Sequence, residues 1–557
     1  MVDEIKNKVN IALAQYNPTV GNVSGNFDLV LKARDHAANE KADLVVFSEL
    51  FLSGYPPEDL VLRNSFLEEI TYYFEKLVKI TEDGGPAILI GLPTIQKDKI
   101  FNSAALIDNG EIVATQNKVH LPNYDVFDEE RIFSQGEMPG PMNFRGLKIG
   151  VAICEDIWFD DVTECLMETG SELLVILNGS PYNRNKQEKR MNIVLERVVE
   201  TKLPLIYVNQ VGGQDELVFD GGSFVVNSDY RIVTKLSNFV SEIKTTEWEK
   251  EDEKWFCNSN IQGPKTNELI DNYSACVVGL RDYIKKNKFS EVIIGLSGGI
   301  DSALVSCIAV DALGHQNVQC VMLPSKYTSD ESLDDAIQCA KNLKISPDEI
   351  AINKIVETAE MQLNPFFKDT EKDITEENIQ SRIRAVLLMA LSNKFNRLLL
   401  TTGNKSEMAV GYATLYGDMS GAFNPIKDLY KTEVYKIAEM RNEIRPSGCL
   451  GPEGEVIPKN IIIKAPTAEL RENQTDQDSL PDYDILDDIL FKLIEEEMSV
   501  EDIIDSGHDS NWVSRIQNLL YISEYKRRQA PPGVKISNKN FGKDRRYPIT
   551  NNFRDKS

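Results

Sequence analysis

The chain has 557 residues, of which 42% are hydrophobic and 27% are charged, with 61 basic and 87 acidic side chains. Because this length exceeds one ordinary hydrophobic core, we expect roughly two to four domains. The net charge of −26 argues against general nucleic-acid binding, which relies on Lys and Arg to neutralise phosphates. The excess of acidic residues is instead expected to keep the protein soluble.

Neither the N-terminus nor the apolar segments indicate export or membrane insertion. The first residues, MVDEIKNKVNIALAQY, lack the pattern of a signal peptide, and no apolar run approaches the roughly 20 residues of a membrane helix. The eight cysteines form no CxxC pair and suit reduced core thiols, while the four histidines are too scattered for a zinc site or a Ser-His-Asp triad. We therefore predict a cytoplasmic protein without nucleic-acid or membrane partners.

From Val9 to about Ser228, short β-rich apolar runs alternate with helix-length amphipathic segments. The runs include VNIALAQY, ADLVVFSEL, PAILIGLP, LKIGVAICEDIW, ELLVILNGS and LPLIYVNQVGG, and a hairpin is predicted at Asp108-Asn109-Gly110. This alternation predicts a layered α/β domain over residues 1–245.

Residues 246–270 are predicted to be a connector, because they have no apolar period, carry clustered charge and lead into Gln-Gly-Pro. Beyond them, EVIIGLSGG, NVQCVMLPS and RLLLTTGN alternate with helical segments, which predicts a second α/β domain over residues 271–557 with a doubly wound parallel sheet. The basic tail KNFGKDRRYPITNNFRDKS is expected to be partly extended.

The stretch IIGLSGGIDSALV, residues 293–305, predicts a phosphate-binding turn. A buried strand stops at Ser297-Gly298-Gly299 and a helix follows, so backbone N–H groups and the helix dipole meet at one spot. No lysine follows as it would in the GxxxxGK[ST] loop of kinases. Asp301 beside a phosphate would be costly without a cation, which predicts a Mg²⁺ ligand; a helix-capping carboxylate is the alternative.

A second polar stretch, residues 401–435, begins where a predicted strand ends, at the edge of the sheet where ligands bind. It carries Thr402, Glu407, Asp418 and Lys431 among several glycines. On composition alone, an ordinary surface loop remains an alternative.

Four segments of the second half closely resemble the synthetase domain of bacterial NAD⁺ synthetases, whose fold is of the adenine nucleotide alpha hydrolase-like type with an ATP-pyrophosphatase loop. These are SGGIDSAL, ENIQSRIRAVLLMALSNK, TTGNKSEMAVGYATLYGDMSGAFNPIKDLYKTEVY and KAPTAELRENQTDQDSLPDYDILDDIL. The resemblance implies that ATP is a co-substrate and that the nicotinate carboxylate of deamido-NAD⁺ (nicotinic acid adenine dinucleotide) is adenylated and then attacked by ammonia.

The same resemblance implies individual roles. The residues that would bind ATP are Ser297, Gly298, Gly299, Asp301, Ser302, Arg384 and Thr402. Asp301 and Glu407 would hold Mg²⁺, and Asp418 and Lys431 would lie near the reacting carboxylate of deamido-NAD⁺. Lys464 and Thr467 would belong to a mobile cover over the phosphates.

In the first half, Glu49, Lys118 and Cys154 each lie at or just past the end of a strand-like run, so we expect them along one edge of a sheet. A cysteine attacks an amide as a thiolate; a nearby ammonium lowers its pKa, and a carboxylate can take its proton. The alternative for each residue alone is a buried small thiol or a solvated surface charge.

With their flanking residues, these three positions closely resemble the nitrilase family, an α-β-β-α sandwich whose glutaminase branch is fused to NAD⁺ synthetases. The resemblance implies Glu49 as general base, Lys118 as stabiliser of the tetrahedral intermediate and Cys154 as nucleophile. It places Tyr124, Glu129, Ser180 and Tyr182 around the glutamine.

Together the two resemblances imply a glutamine-hydrolysing ligase that passes ammonia through a closed route between its domains and assembles as a homo-oligomer. One alternative is another enzyme with a pyrophosphatase loop, such as a tRNA thiolase or a purine amidotransferase. The other is a nitrilase-like half that serves only as a binding module in an enzyme that uses free ammonia.

Overall fold

The computed structural model describes residues 7–472 and 474–555. The chain forms two compact units, Met1–Thr266 and Asn267–Ser557. None of the helices within the described ranges has the length and apolar character that crossing a bilayer requires.

The first unit is built mainly from strands. Its helices are α1 (Val23–Asn39), α2 (Asn64–Ile80), α3 (Asp160–Glu168) and α4 (Lys186–Thr201). Its strands are β1 (Lys8–Gln15), β2 (Leu44–Val46), β3 (Ala87–Gln96), β4 (Lys99–Asp108), β5 (Glu111–Asn117), β6 (Met142–Phe144), β7 (Leu147–Ile153), β8 (Leu173–Asn178), β9 (Leu205–Asn209), β10 (Val211–Gln214), β11 (Leu217–Asp220), β12 (Phe224–Val226), β13 (Ile232–Lys235), β14 (Glu242–Glu251), β15 (Lys254–Cys257) and β16 (Ile261–Gln262).

Most of these strands form two sheets that pack face to face. In the described residues, the first sheet has the order β15-β14-β1-β2-β3-β4-β5 and the second has the order β16-β13-β12-β9-β8-β7-β6. Because side chains alternate along a strand, Ile11 and Leu13 of β1 point into the core between the sheets, while Ala12 and Ala14 pack against α1 and α2. On the far side, α3 and α4 cover the second sheet. The predicted α-β-β-α sandwich is confirmed.

The segment predicted to be a connector has regular structure instead. β14 pairs with β1 from Lys8 opposite Glu249 to Gln15 opposite Glu242, and β15 extends the sheet by pairing with β14. β15 forms the edge of the sheet, and β14 lies between β15 and β1. Charged residues occupy the solvent-facing positions of both strands and obscure the apolar alternation, whereas Trp248 and Trp255 are buried. The two units meet in sequence at residues 266 and 267.

The second unit is mainly helical. Its strands are β17 (Val292–Gly295), β18 (Val318–Met322), β19 (Asp348–Glu349) and β20 (Leu398–Leu399). Its helices are α5 (Glu268–Lys286), α6 (Ile300–Leu313), α7 (Asp330–Asn342), α8 (Asn353–Leu363), α9 (Ile374–Phe395), α10 (Lys405–Val410), α11 (Lys431–Glu443), α12 (Lys459–Ile463), α13 (Tyr483–Ile494), α14 (Val500–Asp505), α15 (Ser510–Ile522) and α16 (Glu524–Arg527).

The sheet of the second unit is parallel and has the strand order β19-β18-β17-β20. The order reverses at β17, which pairs with β18 on one side and with β20 on the other. Ile293 and Val321 pack against α8 and α9, and α6 contacts the same strands. The predicted doubly wound sheet is confirmed, and ligands in such sheets bind beyond the carboxyl ends of the strands where the order reverses.

Residues 533–545, which lead into the basic C-terminal tail and include its first residues, are held by polar contacts. Asp428 accepts hydrogen bonds from the backbone N of Ile536 and of Ser537 at 2.8 and 2.6 Å. Lys535 is buried and pairs with Asp544 at 2.5 Å. These residues contain no helix or strand.

Candidate active sites

The first candidate site uses residues that follow strands of both sheets in the first unit. Glu49 lies shortly after β2 and Lys118 directly after β5 of the first sheet, whereas Cys154 directly follows β7 of the second sheet. The expectation of one edge of a single sheet is therefore wrong. The sandwich brings the three residues together from two facing sheets.

Lys118 lies at the centre of a buried ion-pair network. Its Nζ donates to Glu49 Oε1 at 2.7 Å and to Glu129 Oε1 and Oε2 at 3.0 and 2.9 Å. Asn102 Nδ2 and the backbone N of Gly179 also donate to the Glu49 carboxylate, at 2.7 and 2.8 Å. Because neither Glu49 nor Lys118 has an exposed side chain, solvent does not weaken this network.

The electrostatics of the first site leave the thiol protonated at rest. Burial raises the pKa of Cys154 well above its usual range, Glu49 adds to the increase, and Lys118 opposes it without prevailing. Burial alone would lower the pKa of Lys118, but Glu129 and Glu49 outweigh it and raise that pKa, so the ammonium stays charged. Burial also raises the pKa of Glu129 to about 7. A base must therefore accept the thiol proton before Cys154 can attack.

Two charged residues near the nucleophile were missed by the sequence analysis. Tyr124, a predicted glutamine contact, donates its hydroxyl to Glu155 Oε1 and Oε2 at 2.9 and 3.0 Å. Lys186 Nζ lies 4.6 Å from the centre of the Trp158 ring, and burial lowers its pKa while the charges of Cys154 and Glu155 oppose that shift. The adjacency of Glu155 to Cys154 was a usable signal, whereas Lys186 had none.

The buried side chain of Arg190 forms hydrogen bonds to the loop that carries Ser180 and Tyr182. Arg190 Nε donates to Ser180 Oγ at 3.0 Å, and Nη2 donates to the backbone oxygens of Ser180 and Pro181 at 2.8 Å each. Nη1 donates to Asp220 Oδ1 at 2.7 Å. The Tyr182 ring packs against Phe239 with 5.4 Å between ring centres. Both predicted residues are buried, so their contact with a ligand stays a prediction.

The second candidate site begins at the turn between β17 and α6, as predicted. Gly298 has φ +84°, and a Cβ there would lie 2.2 Å from the backbone oxygen of Ser332, so glycine is required both by conformation and by space. Ser297 Oγ and Ser302 Oγ are 3.1 Å apart, and the backbone N of Gly299 donates to Ser297 Oγ at 3.2 Å. These groups converge at the start of a helix, where anions bind readily.

Asp301 faces a lysine that follows it by 130 positions in the chain. Lys431 Nζ is 2.5 Å from Asp301 Oδ2 and 3.3 Å from Glu407 Oε1, and Asn404 Nδ2 donates to Asp301 Oδ1 at 2.9 Å. The N-cap residue of α6 is Gly299, and no side chain caps it, so the helix-capping alternative for Asp301 is not observed. Lys431 and Asn404 are buried, which also rules out an ordinary surface loop.

The charge balance of this cluster suits a cation. Burial raises the pKa of Glu407 to about 8, and Asp301 adds to that increase, while Lys431 opposes it. Carboxylate oxygens are the donors that Mg²⁺ prefers, and Mg²⁺ usually takes one or two of them together with water and phosphates. Among the described residues no group of three or more His, Cys, Asp or Glu side chains is arranged to hold a metal.

A cavity of about 530 Å³ opens around this cluster. The predicted residues in its wall are Ser297, Gly298, Gly299, Asp301, Ser302, Thr402, Glu407, Asp418, Lys431, Lys464 and Thr467. Arg384 does not line it; its Nε donates to the backbone oxygen of Leu323 at 3.0 Å, and burial lowers its pKa to about 10. Arg382, which the sequence analysis missed, lies in the wall instead.

Asp418 is held in the cavity wall by its own neighbourhood. Its carboxylate accepts from the backbone N of Thr414 at 2.8 Å and from Ser381 Oγ at 3.4 Å. Burial raises the pKa of Asp418 to about 6. The charge of Lys526 opposes that increase. The position of Asp418 in the cavity wall suits a hydrogen bond to a ligand.

The predicted cover is docked on the segment beside the turn. Lys464 Nζ donates to Ser332 Oγ at 2.6 Å, and Glu469 Oε1 accepts from Ser329 Oγ and Ser332 Oγ at 2.8 Å each. Thr467 Oγ1 donates to the backbone oxygen of Gln474 at 2.6 Å. Gln380 Nε2 also donates to the backbone oxygen of Leu470 at 2.9 Å, and Lys464 Nζ lies 3.7 Å from Asp335 Oδ2.

Two family models match the chain. A carbon-nitrogen hydrolase model matches residues 10–252, and an NAD synthase model matches residues 272–530. Among solved structures, the glutamine-dependent NAD⁺ synthetase of Acinetobacter baumannii in complex with ADP is similar, with a TM-score of 0.78 and 39% identity over 97% of this chain and 98% of that chain. The glutamine-dependent NAD(+) synthetase of Cytophaga hutchinsonii, with a TM-score of 0.81 and 20% identity over 98% of each chain, supports the fold alone.

Curated relatives match along the whole chain. The glutamine-dependent NAD(+) synthetase of Rhodobacter capsulatus is 47% identical over 551 residues, which is 99% of this chain and 100% of the relative. That of Thermotoga maritima is 43% identical over 580 residues, which is 98% of this chain and 99% of the relative. Since both family models and near-complete relatives match, this chain belongs to the family of the glutamine-dependent NAD(+) synthetases.

Proposed function

We propose that the protein converts deamido-NAD⁺ to NAD⁺ with ATP and glutamine as co-substrates and releases AMP, pyrophosphate and glutamate. The observation that carries the proposal is the presence in one chain of a buried Glu49–Lys118–Cys154 cluster and of a cavity with a phosphate-binding turn. The first can release ammonia from an amide, and the second can activate a carboxylate to receive it.

In the first site, Glu49 accepts the proton of the buried Cys154 thiol, and the thiolate attacks the side-chain amide carbon of glutamine. The C–S bond forms, the C–N bond breaks, and ammonia leaves with the proton that Glu49 returns. Water then attacks the thioester, Glu49 takes its proton, and glutamate leaves as the thiol forms again. Lys118 stabilises the oxyanion of both tetrahedral intermediates, since its charge is kept by Glu49 and Glu129.

Glutamine itself carries an ammonium and a carboxylate, and the site offers one charge for each. Glu155, which accepts from Tyr124, suits the α-ammonium, while Lys186, on α4, suits the α-carboxylate. Both charges act on the Cys154 thiol, so they lie close to the nucleophile. We assign Ser180 and Tyr182 to the rim of the same pocket.

In the second site, an oxygen of the nicotinate carboxylate attacks the α-phosphorus of ATP. The bond from that phosphorus to the bridging oxygen breaks, and pyrophosphate leaves. The turn at Ser297 to Ser302 holds the phosphates with backbone N–H groups and hydroxyls. The Lys431 ammonium reduces the repulsion between the two anions, and Thr402 and Asp418 orient the substrates in the cavity.

Asp301 and Glu407 would hold Mg²⁺, whose charge, when bound, offsets the negative charge of the phosphates. Lys431 then has to leave Asp301 for the reacting carboxylate, a short movement for a long side chain. Ammonia attacks the adenylated carbon, AMP leaves with the former carboxylate oxygen, and the nitrogen loses a proton to water. The cytoplasmic location, the mobile cover, the homo-oligomer and the closed ammonia route stay predictions.

The deciding experiment supplies the purified protein with ATP, Mg²⁺ and deamido-NAD⁺, with either glutamine or ammonium, and measures NAD⁺, AMP and glutamate. We expect equimolar NAD⁺ and AMP from both nitrogen sources. Product from ammonium alone would reduce the first unit to a binding module, and no product from either source would show that the substrate assignment is wrong.

Two cysteine variants distinguish the activity of the first unit from that of the second in this assay. Cys154→Ala should abolish glutamate release and glutamine-driven NAD⁺ while leaving ammonium-driven NAD⁺ intact. Cys165→Ala, the same substitution on α3 of the same unit, should leave both activities unchanged. Glutamine-driven activity that survives in Cys154→Ala would disprove the nucleophile assignment.

A further inference from the structure

Asp156 ties together the two backbone segments that carry the reactive side chains of the first site. Its Oδ1 accepts hydrogen bonds from the backbone N of Val119 at 3.0 Å and of His120 at 2.8 Å. Its Oδ2 accepts one from the backbone N of Ile153 at 3.0 Å. Val119 directly follows Lys118, and Ile153 directly precedes Cys154. The Asp156 carboxylate therefore accepts hydrogen bonds from the backbone beside each of these two reactive residues.

This link crosses between the two sheets. Lys118 follows β5 of the first sheet and Cys154 follows β7 of the second. Backbone hydrogen bonds within a sheet fix distances within that sheet only. The distance between the ammonium and the thiol therefore depends on bonds that span the sheets, and the Asp156 carboxylate supplies two of them, to Val119 and His120.

Asp156 also holds the conformation of the nucleophile itself. Cys154 has φ +46°, in the left-handed region that non-glycine residues rarely adopt. The bond from the Ile153 N–H to Asp156 Oδ2 closes a turn across Cys154 and keeps that conformation in place. Asp156 is 1% exposed, so water does not compete for its oxygens.

We propose that Asp156 is a positioning residue that sets the geometry between the Lys118 ammonium and the Cys154 thiol for amide hydrolysis. Asp156 neither donates a proton nor binds the substrate. The inference rests on the glutaminase step of the proposed function. Its readout is glutamate release, which can be measured whether or not NAD⁺ is the final product.

The test compares Asp156→Asn with Asp161→Asn in the otherwise intact chain. An asparagine side chain has the same shape as aspartate, but its NH₂ group would replace one of the two accepting oxygens. That NH₂ group faces a backbone N–H that needs an acceptor, so at least one hydrogen bond is lost and the segments that carry Lys118 and Cys154 shift. Asp161 contacts the His120 ring at 2.9 Å, and its side chain is 41% exposed. The control therefore removes a nearby carboxylate but keeps the three bonds that Asp156 accepts from the backbone.

For Asp156→Asn we expect kcat for glutamate release to fall about 100-fold, as a misplacement of about 1 Å can cause. The KM for glutamine should change less than about threefold, because the lost interaction acts on the transition state rather than on substrate binding. Ammonium-driven NAD⁺ formation and all activities of Asp161→Asn should stay at the wild-type level.

A second variant separates positioning from folding. Asp156→Ser keeps an oxygen that can cap the Ile153 N–H in a local turn but cannot reach Val119 and His120. We expect it to be fully folded at the assay temperature, with a lowered unfolding midpoint because two buried N–H groups lose their acceptor. It should still hydrolyse glutamine slowly, with faster hydrogen exchange at the two freed amides. Wild-type kcat in either variant would overturn the proposal. So would a loss of kcat that only parallels a lowered unfolding midpoint in both, since Asp156 would then serve the fold alone.

Discussion

Replacing Lys118 with Met tests how the buried charges of the first site are balanced. Its Nζ makes contacts of 2.7 to 3.0 Å with Glu49 and Glu129, and the side chain has no exposed surface. Removing one partner of a buried ion pair typically costs about 3–5 kcal/mol, because the remaining charge stays in a poorly polarisable environment. Glu49 keeps two other donors, at 2.7 and 2.8 Å, so we expect Glu129 to carry most of the cost.

The expected loss for a unit of this size is roughly 6–20 °C in the unfolding midpoint. Tryptophan fluorescence can follow it selectively, because Trp158, Trp248 and Trp255 lie in the first unit and the fourth tryptophan, Trp512, lies in the second. Lys118→Met should lower the unfolding midpoint more at pH 8 than at pH 5, because Glu129 is protonated at pH 5 and a neutral carboxyl group needs no cation beside it.

The double variant Lys118→Met/Glu129→Gln provides the decisive comparison. It removes the unpaired charge with a side chain of the same shape, so it should regain about 1–3 kcal/mol relative to Lys118→Met alone. Both variants should lack glutaminase activity and keep ammonium-driven activity. Equal destabilisation of the single and double variants, or a loss that does not depend on pH, would refute the assignment of the cost to Glu129.

Three further predictions concern both sites. Asp301→Asn should lower AMP and NAD⁺ formation at least ~100-fold with either nitrogen source while glutamate release persists; an unchanged AMP rate would exclude its metal role. Gly298→Ala should raise the KM for ATP, because the new Cβ would lie 2.2 Å from the backbone oxygen of Ser332 at φ +84°. Gly314→Ala controls for backbone strain, since Gly314 has φ +83° but no atom within 4 Å of the new Cβ. Equal KM values for ATP in the two variants would contradict this prediction. Because the pKa of Glu129 is raised from 4.5 to about 7, its stabilising contribution is fully present below pH 4.5 and is lost as the pH rises through about 7. The unfolding midpoint of the wild type relative to Glu129→Gln should therefore fall over that range, and a constant difference would disprove it.

Local patterns in the sequence were sufficient for several features. The turn at Ser297 to Ser302 was predictable because a strand, a glycine with positive φ and a helix start are adjacent in the chain. The same holds for Cys154, which directly follows an apolar strand. In both cases the chemistry is set by neighbours within a few residues.

Two expectations failed where the answer depended on distant partners. The segment 246–270 was expected to be a connector, yet β14 is a strand because its partner β1 lies more than 200 residues earlier, at Lys8–Gln15. Arg384 was expected near ATP, but the direction of its side chain on α9 takes it to Leu323, and Arg382 lines the cavity. The partner of a strand cannot be deduced from the residues of that strand alone. The same holds for which face of a helix such as α9 points toward a cavity.

The sequence by itself determined the two α/β folds, the phosphate-binding turn and the types of reactive side chain, since these follow from local periodicity and residue chemistry. Only the tertiary structure decided that Lys118 lies between Glu49 and Glu129, that Lys431 meets Asp301 across 130 positions, and that the Cys154 thiol is protonated at rest. Distances between side chains and the loss of water around them arise from packing, and both pKa values and charge balance depend on packing.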